Sequence, residues 1–152
     1  MGFRKQETMI RAILLALALT VSSNPAPLPV KGYADARQES LDTGKPLLVL
    51  VSTDWCPPCQ VMKRRTMPKV QEDGALVGLV YTKVNPDHEE ELSKTLIGSG
   101  PIPELLLFRK VGEKNGKALW TRDVLVGGQS AEAVESFVGF KKEAPKDTGK
   151  SK

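Results

Sequence analysis

Leu47-Leu48-Val49-Leu50-Val51 is the stretch that most limits what this chain can fold into. Its apolar residues run on without polar alternation, so it reads as a strand buried on both faces, inside a sheet flanked by helices. Lys45-Pro46 launches it, and it is expected to run to about Thr53. Directly after it comes Trp55-Cys56-Pro57-Pro58-Cys59, which holds the only two cysteines among 152 residues. Such a pair can be half of a metal site, a small structural bridge or a redox couple. Zinc needs about four ligands, and the chain has one histidine, His88, and no second cysteine pair, so no metal is expected. A structural bridge stabilises most when it closes a long loop, and this loop is close to the shortest possible. The redox reading is favoured, with Cys56 attacking and Cys59 resolving.

The rest of the chain supplies alternating elements. A helix is expected from Tyr33 to about Thr43, stopped by Gly44. Helical composition returns from Gln60 to Thr66; Pro68 should interrupt or restart it, with a second short helical stretch from Pro68 to Asp73 closed by Gly74. Leu79–Val84 reads as the next strand. Asp87–Ile97 reads as a helix with Asp87 as its cap, Glu90 completing a capping box and Gly98 ending it. Leu105–Phe108 is a strand, Gly112–Gly116 a turn, and Leu119–Val126 the antiparallel neighbour. Ser130 caps a last helix in which Val134, Phe137 and Val138 share a face. Strands alternating with helices argue an α/β fold, a central sheet covered on both faces and finished by a hairpin and a helix.

Residues 1–23 read as a secretory signal: a basic start, the apolar run Ala12–Val21, and small residues at Val21-Ser22-Ser23 for a signal peptidase. The run is far short of a membrane span, so no stable membrane insertion is expected. No cysteine follows it, which argues against a lipid anchor. Residues 24–32, with alternate prolines, read as an extended linker, residues 33–140 as the folded domain and residues 141–152 as a solvated tail. The formal charge of +4 sits at the ends. Residues 1–23 carry +2 and the last twelve +3, so the body is net −1 and no nucleic-acid partner is expected. An exported location, periplasmic or otherwise extracytoplasmic, follows as the expectation, with a monomer as the simplest state.

At this point the sequence resembles the thioredoxin superfamily over about Leu47 to Phe140. The resemblance rests on Trp55-Cys-Pro-Pro-Cys59 after a buried strand, Lys83-Val84-Asn85-Pro86-Asp87 at the end of the next, Ile102-Pro103-Glu104-Leu105-Leu106-Leu107-Phe108, and Val126-Gly127-Gly128. The opening through Gly44-Lys45-Pro46 is closer to the thioredoxin-like domains of exported thiol–disulfide reductases. It implies a thioredoxin fold, a Cys56–Cys59 redox disulfide, and a cis-proline at Pro103 facing it. It also implies a shallow substrate groove at Trp55, Pro86, Ile102 and Gly127. The implied activity is protein-disulfide oxidoreduction without a cofactor, with disulfide-bearing protein substrates and an upstream electron-donor protein as partners. An oxidase or isomerase using the same pair is the alternative, and a binding module with an inert bridge is the third.

Two features tune these expectations. A thiolate at a helix start is stabilised by free N–H groups and the helix dipole. Pro57 and Pro58 have no N–H, so the first available donor is that of Cys59. Fewer donors mean a less stabilised thiolate and a couple that leans towards reduction. Secondly, the resemblance implies a buried aspartate six residues before the first cysteine, and Leu50 stands there. Lys83 then lacks the acid that accompanies it in the family, so proton transfer must go through water or another group, with Glu104 and Asp54 as the candidates by proximity in sequence. His88 reads as solvated and Trp120 as core or hairpin packing.

Overall fold

A computed structural model describes residues 30–139. The signal reading, residues 24–29 of the linker, Phe140 and the tail lie outside the described residues. Within them the chain runs α1 (Tyr33–Thr43), β1 (Leu47–Val51), α2 (Pro57–Val61), a π-helical turn (Met62–Thr66) and α3 (Met67–Glu72). It continues through β2 (Val80–Val84), α4 (Glu90–Ile97), β3 (Glu104–Lys114), β4 (Lys117–Val126) and α5 (Ala131–Val138).

The four strands form one mixed sheet in the order β2-β1-β3-β4, β1 parallel to β2 and antiparallel to β3, which pairs antiparallel with β4. All five residues of β1 are buried because it is one of the two inner strands, with helices on both sides. Successive side chains alternate between the faces. Leu48 and Leu50 join Leu105 and Leu107 against Met62, Met67 and Val70 of the helical run and Val134 of α5. Leu47, Val49 and Val51 join Leu106 against Ala36 of α1 and Leu96 of α4. One unalternating strand thus feeds two cores. Each fully buried leucine contributes about 1.5–3 kcal/mol of transfer free energy.

Local chemistry explains most element ends. Gly44 stops α1 in the left-handed conformation, φ 69°, its N–H donating to the Ser40 carbonyl at 2.9 Å. Ser130 Oγ accepts from the Ala133 N–H at 3.2 Å and caps α5. Pro68 restarts the helix: it is among the first two residues of α3, and before it the wider π turn bonds Met67 N–H to the Met62 carbonyl, so the missing N–H of Pro68 falls where the spacing has already changed. Two expectations need correction. Asp87 and Glu90 do not form a capping box. Helix α4 begins at Glu90, after a turn in which the Asn85 side chain accepts from Asp87 N–H at 3.0 Å. The β3–β4 hairpin is longer than its apolar residues suggest. Gly112 pairs with Leu119 and so belongs to the strand, Val111 before it is the extra residue of a bulge, and the reversal is made by Asn115-Gly116, both at positive φ as a tight primed turn requires.

Candidate active site

The cysteine pair stands where β1 hands the chain to the helical run. Ser52 and Thr53 remain buried beyond the strand, and the backbone then turns at Asp54-Trp55. Three side chains fix that turn through four hydrogen bonds. Lys63 reaches back to the Thr53 carbonyl at 2.9 Å and to the Asp54 carboxylate, the Gln60 amide donates to the Asp54 carbonyl, and Asn85 Nδ2 donates to Asp54 Oδ2 at 3.4 Å. The hydrogen bond from Lys63 holds the Asp54 carboxyl below its ordinary pKa.

Cys56 is the N-cap of α2, extended at φ −82° and ψ 116°, with Pro57 and Pro58 as the first two helical residues. The Gln60 N–H bonds the Cys56 carbonyl at 3.1 Å, so the helix ladder begins at the cysteine. Cys59 follows one turn on, and a disulfide joins the two with Cα atoms 5.2 Å apart. Cys59 is wholly buried. Cys56 is only 4% exposed, the more accessible of the two by a small margin. Its cover comes from the loop opposite, where the Ile102–Pro103 bond is cis and the Ile102 carbonyl lies 4.0 Å from Cys56 Sγ.

The other expected site residues divide into two groups. Trp55, Pro86 and Ile102 line one groove beside the cysteines. Trp55 is 70% exposed and is oriented by its indole N–H, which donates to Asp87 Oδ1 at 3.3 Å. Gly127 is on the end of β4 instead, at φ 86°, its N–H donating to the Pro103 carbonyl at 2.8 Å. Gly128 next to it faces Pro58: a Cβ there would lie 3.3 Å from the Pro58 Cβ. Pro58 is therefore packed as well as placed.

Neither acid proposed for proton transfer is at Cys59. Leu50 is fully buried, and its neighbour on β2, Lys83, is exposed. Asp54 is tied to Lys63 and Asn85 as described. Glu104 shares a sheet face with Leu106, while Leu105 and Leu107 face the helical run that carries Cys59. Its carboxylate lies instead beneath the C-terminal end of α4, 3.6 Å from Arg122, whose guanidinium also donates to the Leu96 carbonyl. Burial pushes the Glu104 carboxyl above its ordinary value, and Arg122 only partly opposes this. Alternation along Ile102–Phe108 carried the signal that Glu104 turns away.

Two residues absent from the expected site, Thr53 and Ser93, line the groove, and Lys63 braces the turn before it. Among the described residues, no three His, Cys, Asp or Glu side chains gather as metal ligands. His88 is exposed, and Trp120 is half-buried against Tyr33 and Phe108 on the far side of the molecule.

A family model described as thioredoxin-like matches residues 29–109, more than half of the chain. The chain belongs to the thioredoxin-like family. It is similar to a protein of Caenorhabditis elegans named "Probable thioredoxin-2", 28% identical over 85 residues, which are 56% of this chain and 56% of that one. The chain therefore spans about half the length of this curated relative. Among solved structures it is similar to Trxlp from Edwardsiella tarda, 26% identical with a TM-score of 0.52, covering 72% of this chain and 95% of that one. A thioredoxin from Thermus thermophilus has the same fold at 20% identity, with a TM-score of 0.56, covering 70% of this chain and 81% of that one. The mixed sheet with helices on both faces is the thioredoxin fold, and Cys56 and Cys59 hold the position that the motif implied.

Proposed function

We propose that this protein is a thiol–disulfide oxidoreductase acting on protein disulfides outside the cytoplasm, in the reducing direction. The observation that carries the reading is the placing of Cys56 as helix N-cap, bonded to a buried Cys59 and faced by the Ile102 carbonyl. In the reduced state the Cys56 thiolate attacks one sulfur of a substrate disulfide, forming a mixed disulfide and releasing the other substrate sulfur as thiolate. Cys59 then attacks Cys56 Sγ, releasing the second substrate thiol and leaving the Cys56–Cys59 disulfide. Two electrons have passed to the substrate, so a donor dithiol protein must return them before the next cycle. Dithiol and disulfide are the whole couple, and it requires no bound cofactor.

The reducing direction is supported by the two prolines at the first helical positions. Export is supported by the basic, apolar and small-residue pattern of residues 1–23. Insulin reduction by the wild type, lost in Cys56→Ser and replaced by trapped mixed disulfides in Cys59→Ser, is the expected result. A wild type without turnover and a Cys59→Ser variant that traps nothing would leave only a binding module. Equilibration with glutathione tests direction: a potential near the roughly −120 mV of a strong oxidant would refute the reductase reading. Fusion of residues 1–23 to a reporter active only beyond the cytoplasmic membrane tests export, and a silent reporter would remove it.

A further inference from the structure

Arg122 stands on β4 with its backbone fixed by the pairing to Phe108, and its side chain reaches two other elements. Its guanidinium donates to the Leu96 carbonyl at 2.6 Å and lies 3.6 Å from the Glu104 carboxylate. Leu96 is in the last turn of α4, where carbonyls have no partner within the helix and a cation is favoured. Exposed ion pairs contribute little, but Glu104, the first residue of β3, is only 5% exposed. The loop from Gly98 to Ile102 joins these two anchors. Its Gly98 and Gly100 N–H groups bond the Lys94 and Ile97 carbonyls, at 2.9 Å each, so the loop hangs from the end of α4. It also lies tight on Glu104: a Cβ at Gly100 would come within 3.0 Å of Glu104 Oε2 and 2.8 Å of the Ile97 carbonyl oxygen. At the far end of the loop is Ile102, whose carbonyl lies 4.0 Å from Cys56 Sγ and which lines the groove beside Trp55.

We infer that Arg122 is a positioning residue of the redox site: it holds the end of α4 and Glu104 together, and so sets where the loop of Ile102 stands over Cys56. The inference rests on the redox reading above. Arg122 acts through the loop, since its own contacts are with Leu96 and Glu104. With the brace in place the loop shields Cys56, which is 4% exposed, and presents the Ile102 backbone as an edge on which an extended substrate segment can pair beside the sulfur. Without it the Leu96 carbonyl and the Glu104 carboxylate both lose this cation, and the loop that spans them samples positions further from Cys56. Small reagents then reach the sulfur more easily. A substrate finds its docking edge in place for only part of the time, and its apparent affinity falls by that fraction. These opposite changes, easier access and weaker docking, distinguish a positioning role from simple support of the fold.

The test uses Cys59→Ser, which leaves Cys56 as the sole thiol, with iodoacetamide as the small reagent. The substrate is a peptide whose single cysteine carries a thionitrobenzoate leaving group. Cys56 thiolate attacks the peptide sulfur, a new S–S bond replaces the old one, and the coloured thiolate leaves. Adding Arg122→Leu should speed alkylation about tenfold, the worth of one hydrogen bond to a charged group where solvent competes. The rate is read on the alkaline plateau of its pH profile, where all Cys56 is thiolate, so that it reports access alone. The half-saturating peptide concentration should rise about tenfold, with the limiting rate changed by less than about threefold. Gly100→Ala pushes the loop off its anchors with Arg122 intact and should give the same pair of changes. Lys117→Leu removes a cation from the hairpin tip of the same strand and should give neither. Arg122→Gln replaces Arg122→Leu if the latter does not fold. Unchanged alkylation or half-saturation in the Arg122 variant overturns the inference and leaves the redox reading standing. So does a change that Lys117→Leu reproduces, or one seen only where circular dichroism shows the variant unfolded. Failure of the Cys59→Ser parent to react with the peptide sinks the redox reading itself.

Discussion

Replacing Pro58 by alanine returns one backbone N–H to the position where a helix N-cap side chain finds its donor. Cys56 is the N-cap, Pro57 the first helical residue and Pro58 the second. N-cap side chains bond the N–H of the second or third residue, so Cys59 alone can now serve the thiolate. A hydrogen bond to a charged group contributes about 1.5–3 kcal/mol. Pro57 and Pro58 are both exposed, so solvent competes and the lower end applies. About 1.5 kcal/mol corresponds to roughly one pKa unit on Cys56. It also corresponds to roughly 30 mV in a two-electron couple, and the shift is towards a more oxidising potential because the dithiol form gains the stabilisation. The contact between residue 58 and Gly128 involves the Cβ, which alanine keeps. Loss of the ring makes the unfolded chain freer by about 0.4–1 kcal/mol, but in both redox states alike, so this cancels from the couple. Equilibration with glutathione, followed by Trp55 fluorescence, gives the potential, and thiolate absorbance against pH gives the pKa. Pro57→Ala restores the N–H of the first helical residue, which is outside the cap geometry, and should change little. An unmoved potential in Pro58→Ala, or an equal shift in Pro57→Ala, would show that the prolines do not act by withholding donors.

Glu104→Gln tests the carboxyl buried under α4. Its pKa in the folded protein is above its ordinary value near 4.5, so folding favours the protonated form, and stability is lost as pH rises from that value through the raised one. The variant should therefore gain stability relative to wild type as pH rises across that window, measured as a difference between denaturant midpoints. A difference that does not vary with pH would mean that Arg122 compensates the charge in full. Leu106→Ala removes a fully buried side chain from the face shared by α1 and α4. Urea unfolding should show a loss of about 2–5 kcal/mol, and a loss under 1 kcal/mol would mean that the site collapses to fill the cavity.

The residues that announced themselves did so through local chemistry. Tyr33–Thr43 was legible to the residue because Gly44 ends it in a conformation that glycine adopts freely, and Ser130 because a hydroxyl before an apolar face is a cap. The cysteines were legible because their spacing has few chemical uses. Glu104 was misjudged because closeness in sequence to Pro103 says nothing about the face on which a strand residue points. Asp87 was misjudged as a cap because Asn85 had already organised that turn, leaving Asp87 to hold Trp55.

The sequence by itself determined a strand buried on both sides, a reactive pair after it and a helix beginning on two prolines. Each is a property of neighbours along the chain. Only the tertiary structure decided that the loop of Ile102 covers Cys56, that Thr53 and Ser93 line one groove, and that Glu104 turns to Arg122, away from the helical run that carries Cys59. The physical reason is register: pairing Leu50 with Leu105 and Lys83 fixes which side chains share a face, and that pairing joins residues more than thirty positions apart.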